Sequence, residues 1–181
     1  WKVPGVSNVK ELVIQGQTAC ALTDSGRVKC WGINGFMGDG KDREDLPRGP
    51  VEVNGVNSAR ALAGDQLGNW CVVLVEGNAQ CWGDLSGFGI LPKAPGSAVS
   101  DVYIHLLPTT IDAGVPIAQV SPSNMVLAES GVLFRVEDGE AREFSPTAGI
   151  PTRASRFWEL EDGLCLQEIE GDDVFCVNSA G

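Results

Sequence analysis

The sequence predicts an all-β protein built from β-propeller blades, and three observations carry that prediction. Residues 18–32 read Thr18-Ala-Cys-Ala-Leu-Thr-Asp-Ser-Gly-Arg-Val-Lys-Cys-Trp-Gly32. They return without a gap at 69–83 as Asn69-Trp-Cys-Val-Val-Leu-Val-Glu-Gly-Asn-Ala-Gln-Cys-Trp-Gly83, 51 residues later. A period near 50 residues marks propellers and solenoids. Each copy reads as a β-hairpin closed by a turn glycine, and no stretch of the chain sustains a helical period.

The hairpin of the first copy sets its own register. Cys20 to Thr23 forms one arm and Arg27 to Cys30 the other, joined by Asp24-Ser25-Gly26. Three-residue hairpin loops place one residue in the left-handed region, which glycine adopts without steric cost. Residue 23 then faces 27, and Cys20 faces Cys30. The same count around Val75-Glu76-Gly77 opposes Cys71 and Cys81, and Cys165 and Cys176 flank Glu170-Gly171 with one extra residue. A fainter copy runs from Met125 through Gly131 to Arg135, with Met125 and Arg135 at the two cysteine positions.

The rest of each unit follows in order. Gly5-Val6, Gly55-Val56, Gly114-Val115 and Gly149-Ile150 precede the four hairpins. Val9 to Ile14 and Ala59 to Ala63 are β-rich runs between marker and hairpin. Glycine-rich turns follow at Gly32 to Gly40 and Gly83 to Gly89, and Pro50 to Val53 offers a short strand into the next unit. Four short strands per period make one propeller blade. The expected blade units are 1–52, 53–108, 109–148 and 149–181.

The string Cys20-Ala-Leu-Thr-Asp-Ser-Gly26-Arg-Val-Lys-Cys30-Trp31-Gly32-Ile-Asn34, followed by Gly35-Phe-Met-Gly-Asp-Gly40, resembles the repeat of the regulator of chromosome condensation family. Residues 18–40 match it closely. Residues 53–89 match it well, although Leu85 stands where the family usually has Asn or a small polar residue, and 109–181 match through the hairpins alone. The resemblance implies a β-propeller, usually seven-bladed, used as a docking platform. It does not imply the chromatin and nucleotide-exchange activity of the founding nuclear protein. The cysteine-paired form of the repeat looks more like secreted or cell-surface repeats found in many bacteria.

Directly opposed residues of an antiparallel pair have Cα atoms about 4.5–5.5 Å apart, within the range a disulfide spans. The pairs expected are Cys20 with Cys30, Cys71 with Cys81 and Cys165 with Cys176. Zinc is the rival reading, but structural sites favour Cys-x₂₋₄-Cys spacing, and here each pair is separated by 10 or 11 positions. A reduced cysteine packed as a small hydrophobe is the other rival. Persistent disulfides belong to oxidising compartments, so the expected location is extracytoplasmic: secreted, periplasmic or at a cell surface, with a bacterial source. Each short closed loop contributes about 2–3 kcal/mol. The sequence begins mid-pattern at Trp1-Lys-Val-Pro, so a leader is expected to have been removed.

The 181 residues carry a formal net charge of −11. That balance disfavours nucleic acid, whose phosphates need a basic stripe, and anionic membrane surfaces. It favours solubility, cations or a basic partner patch. No run of about 20 apolar residues is present, so no transmembrane segment is expected.

Catalytic chemistry has little to stand on. The single histidine, His105, lies in the apolar run Val102-Tyr-Ile-His-Leu-Leu107 and reads as a packed strand residue, without a Gly-x-Ser-x-Gly elbow or a phosphate loop. Three acidic clusters (Asp39, Asp42, Glu44, Asp45; Glu159, Glu161, Asp162; Glu168, Glu170, Asp172, Asp173) lack the EF-hand order and read as solvated turns. No cofactor and no metal are expected.

Trp31 and Trp82 recur at one blade position and read as packing residues. Phe36 and Phe88 recur within the glycine-rich turns, either wedged between blades or exposed at a rim. Trp70 and Trp158 do not recur. Trp70, Trp158, Phe36 and Phe88 are therefore the candidates for partner contact. The function expected is a non-catalytic interaction or scaffold module. The alternative is a carbohydrate-active or other hydrolytic propeller with carboxylates and aromatics at its mouth. A deep pocket gathering three carboxylates and a tryptophan would favour that enzyme. Four units are fewer than seven, so the partners expected are a protein, or further blades from the same or another chain covering open edges. A compact four-bladed closure is the competing arrangement.

Overall fold

The computed structural model describes residues 2–33, 36–41, 47–88, 104–144, 150–160, 163–171 and 173–178. Of the positions singled out above, Trp1, Asn34, Gly35, Asp42, Glu44, Asp45, Gly89, Val102, Gly149, Glu161, Asp162 and Asp172 lie outside them. The described residues are strands joined by turns, apart from one 3₁₀ turn at Ser86–Phe88.

Among the described residues fifteen strands form four antiparallel sheets, each a meander in chain order. Blade 1 is β1 (Val9–Gln15), β2 (Thr18–Thr23), β3 (Val28–Gly32) and β4 (Arg48–Glu52). Blade 2 is β5 (Ala59–Gly64), β6 (Trp70–Leu74), β7 (Ala79–Asp84) and β8 (Ile104–Ile111). Blade 3 is β9 (Ile117–Val120), β10 (Met125–Ala128), β11 (Leu133–Glu137) and β12 (Glu140–Glu143). Blade 4 has three described strands, β13 (Ala154–Leu160), β14 (Gly163–Glu168) and β15 (Val174–Asn178).

The hairpin glycines fix the register. Gly26, Gly77 and Gly131 have φ of 75°, 93° and 86°, conformations that a side chain disfavours. Around them Cys20 pairs with Cys30, Cys71 with Cys81 and Met125 with Arg135. Disulfides join Cys20–Cys30, Cys71–Cys81 and Cys165–Cys176, each with Cα atoms 4.1 Å apart.

Successive blades stack face to face. β1 and β2 pack on β5, β6 on β9, and β10 on β13. We call the face that carries the hairpin cysteines the leading face, and its reverse the trailing face. Cys20, Leu22, Val28 and Cys30 of the first leading face share a core with Leu62, Trp70, Val72 and Trp82 of the second trailing face. Cys71, Val73 and Cys81 meet Ile117, Val120 and Val126. Met125, Leu127 and Leu133 meet Phe157, Leu164 and Leu166. Burial follows from this stacking on the leading face of blade 1: Cys20 and Leu22 are sealed there and Glu11 and Val13 are half-buried, whereas Lys10, Leu12 and Ile14 are exposed. The other residues of β2, a strand flanked by β1 and β3, are buried as well.

The inner strands carry bulges at Lys10, Arg60 and Ser155, where the pairing register shifts. A bulge re-aims its side chain, and two of these reach the next blade. Lys10 Nζ donates to Arg60 O at 3.1 Å, and Arg60 Nη2 donates to Ile117 O at 2.5 Å and pairs with Glu129 at 2.7 Å.

Candidate functional site

The innermost strands of all four blades line one groove of about 440 Å³, with Glu11 from β1, Ala61 from β5, Gln119 from β9 and Arg156 and Trp158 from β13. Glu11, Ala61, Gln119 and Arg156 are structurally equivalent. Each sits across the ladder from the residue two past the first hairpin cysteine or its counterpart: Leu22, Val73, Leu127 and Gln167.

That position clasps one blade to the next. Glu11 Oε2 accepts the backbone N–H of Leu62 at 3.0 Å. Gln119 makes the matching contact with Phe157, accepting its N–H at 3.1 Å and donating to its carbonyl at 2.7 Å. Leu62 and Phe157 are themselves equivalent, pairing with Val72 and Leu166. Ala61 has no group with which to clasp Val120. Arg156 holds the same place on blade 4, is exposed, and makes no ion pair among the described residues. A guanidinium only donates, so its counterpart must be an acceptor.

Trp158 is 43% exposed at the edge of this groove. It pairs across the ladder with Cys165, which is bonded to Cys176, so the ring stands on the leading face of blade 4. The other three aromatic candidates lie elsewhere. Trp70, Phe36 and Phe88 are at most 1% exposed and offer no surface to a partner. Phe36 is a wedge of blade 1 against Trp70 and Trp82, and its carbonyl accepts Trp82 Nε1–H at 3.0 Å. Phe88 does the same service toward blade 3. Trp70 is buried against blade 1, with its ring lying over Gly64, where a Cβ would come within 2.5 Å of the indole. A glycine opposite a tryptophan within a predicted strand pair was the available signal.

His105 is 7% exposed in β8, with Nδ1 2.6 Å from Thr109 Oγ1. Asp39 pairs with Arg48 in a largely buried contact. Glu159 accepts from Ser121 Oγ, a residue of the neighbouring blade. Among the described residues no three His, Cys, Asp or Glu side chains gather in a metal-binding group. Likewise, no described helix is long and apolar enough to cross a membrane.

The fold and the hairpins define a protein of propeller-repeat type. A family model described as the regulator of chromosome condensation (RCC1) repeat matches residues 16–36. Among curated proteins none matches the sequence. Among solved structures the chain is similar to human WBSCR16, at 17% identity and TM-score 0.70, over 94% of this chain and 47% of that one. It is similar to Prp20p from Saccharomyces cerevisiae at 17% identity and TM-score 0.60, over 80% and 40%. It is also similar to yeast RCC1 (Prp20), solved with Kap60 bound, at 16% identity and TM-score 0.64, over 94% and 43%. At these identities the likeness establishes the fold. The chain spans less than half the length of each of these structures. Their human and yeast sources give no support to a bacterial origin.

Proposed function

We propose that this chain is a protein-interaction or scaffold module, and that its contact surface is the leading face of blade 4 together with the adjoining groove. The observation that carries this reading is Trp158: a large aromatic, 43% exposed, on β13 directly opposite Cys165 of the disulfide-bonded hairpin and two residues from the unpaired Arg156. Exposed tryptophan and arginine on rigid elements are the side chains that anchor interfaces. Prp20p binds Gsp1p and histones, and a protein partner is the class proposed here. The net charge of −11 supports a partner surface that is basic or neutral rather than a polyphosphate.

The proposed setting is extracytoplasmic, because three disulfides in hairpins of this length persist in an oxidising compartment. Among the described residues the groove holds one carboxylate, Glu11, already engaged by Leu62 N–H. That supports binding over the hydrolytic alternative, which calls for two free carboxylates.

The test is capture from the source's own extracytoplasmic fraction with wild-type chain and with Trp158→Ala and Arg156→Ala. A partner retained in stoichiometric amount by wild type and lost with both variants supports the reading. A partner held equally by all three removes this face from the function.

A further inference from the structure

The clasp at the groove holds the first and third blade junctions and is missing from the second. The innermost strands show why the gap matters. Each is the edge strand of its sheet. Along such an edge, residues turn their N–H and C=O alternately toward the ladder and away from it. Ser121 N–H donates to Met125 O at 2.9 Å, so Ser121 and Gln119 hold β9 to β10. Val120 lies between them, paired with Val126, and turns both backbone groups away from β10. Leu62 and Phe157 hold the same place in blades 2 and 4, and theirs are the outward N–H groups that Glu11 and Gln119 accept.

Val120 has no such partner. The side chain due to reach it belongs to residue 61, an alanine. Among the described residues no other side chain and no backbone carbonyl of blade 2 accepts its N–H. Val120 is only 2% exposed, and a buried backbone donor left without an acceptor is costly. The space beside it is nevertheless open. Val120 borders the groove of about 440 Å³ together with Ala61, Leu62, Ala63, Val73 and Ala118, far more room than the roughly 30 Å³ of one water. Blades 2 and 3 both lie inside the chain, so the gap between them is the same whatever flanks the chain.

We propose that this gap binds the side-chain carboxamide of a glutamine from a partner polypeptide. The chain itself displays the fit one junction further on, where Gln119 accepts Phe157 N–H at 3.1 Å and donates to the Phe157 carbonyl at 2.7 Å. Val120 offers the same outward pair, one donor and one acceptor. A carboxamide carries both complementary groups, whereas a carboxylate only accepts. Glu11 accordingly takes the N–H of Leu62 and makes no bond to its carbonyl. A carboxylate in the gap would set its second oxygen toward Val120 O, with no hydrogen between them. The small and apolar side chains that line the gap suit the methylene stem that carries the amide. Arg156 lines the same groove, but from blade 4, beyond Gln119, so an acidic ligand is drawn there and away from Val120. The inference rests on the proposed interaction reading and names the chemical group that the groove recognises.

Nuclear magnetic resonance of the isotope-labelled chain tests it, with N-acetylglutamine N-methylamide as the probe and its glutamate and methionine analogues as comparisons. A ligand of that size reaches a dissociation constant of about 1 mM. The glutamine probe is expected to move the Val120 N–H signal saturably near that concentration. The two analogues should bind at least about tenfold more weakly, since each loses a hydrogen bond or both. Ala61→Gln supplies the amide from within, so Val120 should be shifted before any probe is added and should then ignore it. Gln119→Ala opens a second gap, and Phe157 N–H should begin to respond. A Val120 signal that stays still at about ten times the expected constant overturns the site. So does a response that Ala61→Gln leaves unchanged, or a glutamate analogue that moves Val120 equally well. The probe requires no partner protein: its failure leaves the Trp158-dependent capture standing, and failure of that capture leaves the Val120 titration standing.

Discussion

Gly26 gives its carbonyl to the backbone N–H of Ala59 across the first blade junction, at 3.0 Å, with φ of 75°. One residue therefore closes a hairpin and docks the next blade. A Cβ there would lie 3.0 Å from Asn57 O and 3.1 Å from Ser58 Cα, both backbone atoms.

Gly26→Ala should therefore cost more than the left-handed backbone alone. Gly114 supplies the control, with φ of 67° and nothing within 4 Å of an added Cβ. Gly114→Ala is expected to cost about 1–2 kcal/mol. Gly26→Ala should cost that plus about 1–3 kcal/mol of overpacking. Urea midpoints of the two variants measure the difference, and equal losses would remove the docking role.

The clasp position makes a prediction in both directions. Gln119→Ala removes two hydrogen bonds to Phe157 and should cost about 1–3 kcal/mol. Ala61→Gln places the same group where blade 2 lacks it, within reach of Val120, and should stabilise by about 0.5–1.5 kcal/mol. Denaturant unfolding of both variants checks the pair. A destabilised Ala61→Gln would show that the four positions are not interchangeable.

Two ion pairs should separate by burial. Arg48 and Asp39 are 10% and 12% exposed, and among the described residues Arg48 Nη1 has no hydrogen-bond partner. Asp39→Ala strands a buried guanidinium and should cost about 3–5 kcal/mol. Arg27 and Glu52 are 56% and 43% exposed, so Glu52→Ala should change stability by about 0–1 kcal/mol. Thermal unfolding of the two variants distinguishes these outcomes.

The hairpins and cysteine register were legible in the sequence because local rules set them: a three-residue turn with glycine in its left-handed position leaves one way to oppose Cys20 and Cys30. The clasp was not legible. Its members, Glu11, Ala61, Gln119 and Arg156, differ in type. The turn joining the first two strands also changes length in each blade, from Gly16-Gln17 to Asp65–Asn69 to Ser121–Asn124, so no fixed spacing links them. Trp70 and Trp158 could not be told apart by recurrence alone. Their fates follow from stacking, which buries a trailing-face ring against the preceding blade and leaves a leading-face ring exposed on blade 4.

The same stacking orders the disulfides by access. Cys20, Cys30, Cys71 and Cys81 are sealed between blades, while Cys176 is exposed. Limiting reductant should open Cys165–Cys176 first, as followed by mass spectrometry of alkylated peptides. Simultaneous opening of all three would mean that the blade junctions do not shield the first two.

The most direct test of the whole account is a disulfide map of the protein drawn from its own source, with thiols blocked before lysis and peptides separated without reduction. The account predicts Cys20–Cys30, Cys71–Cys81 and Cys165–Cys176 and no blocked thiol. Pairing across blades, such as Cys20 with Cys81, would contradict the hairpin register, and six blocked thiols would contradict the oxidising compartment on which the proposed setting rests.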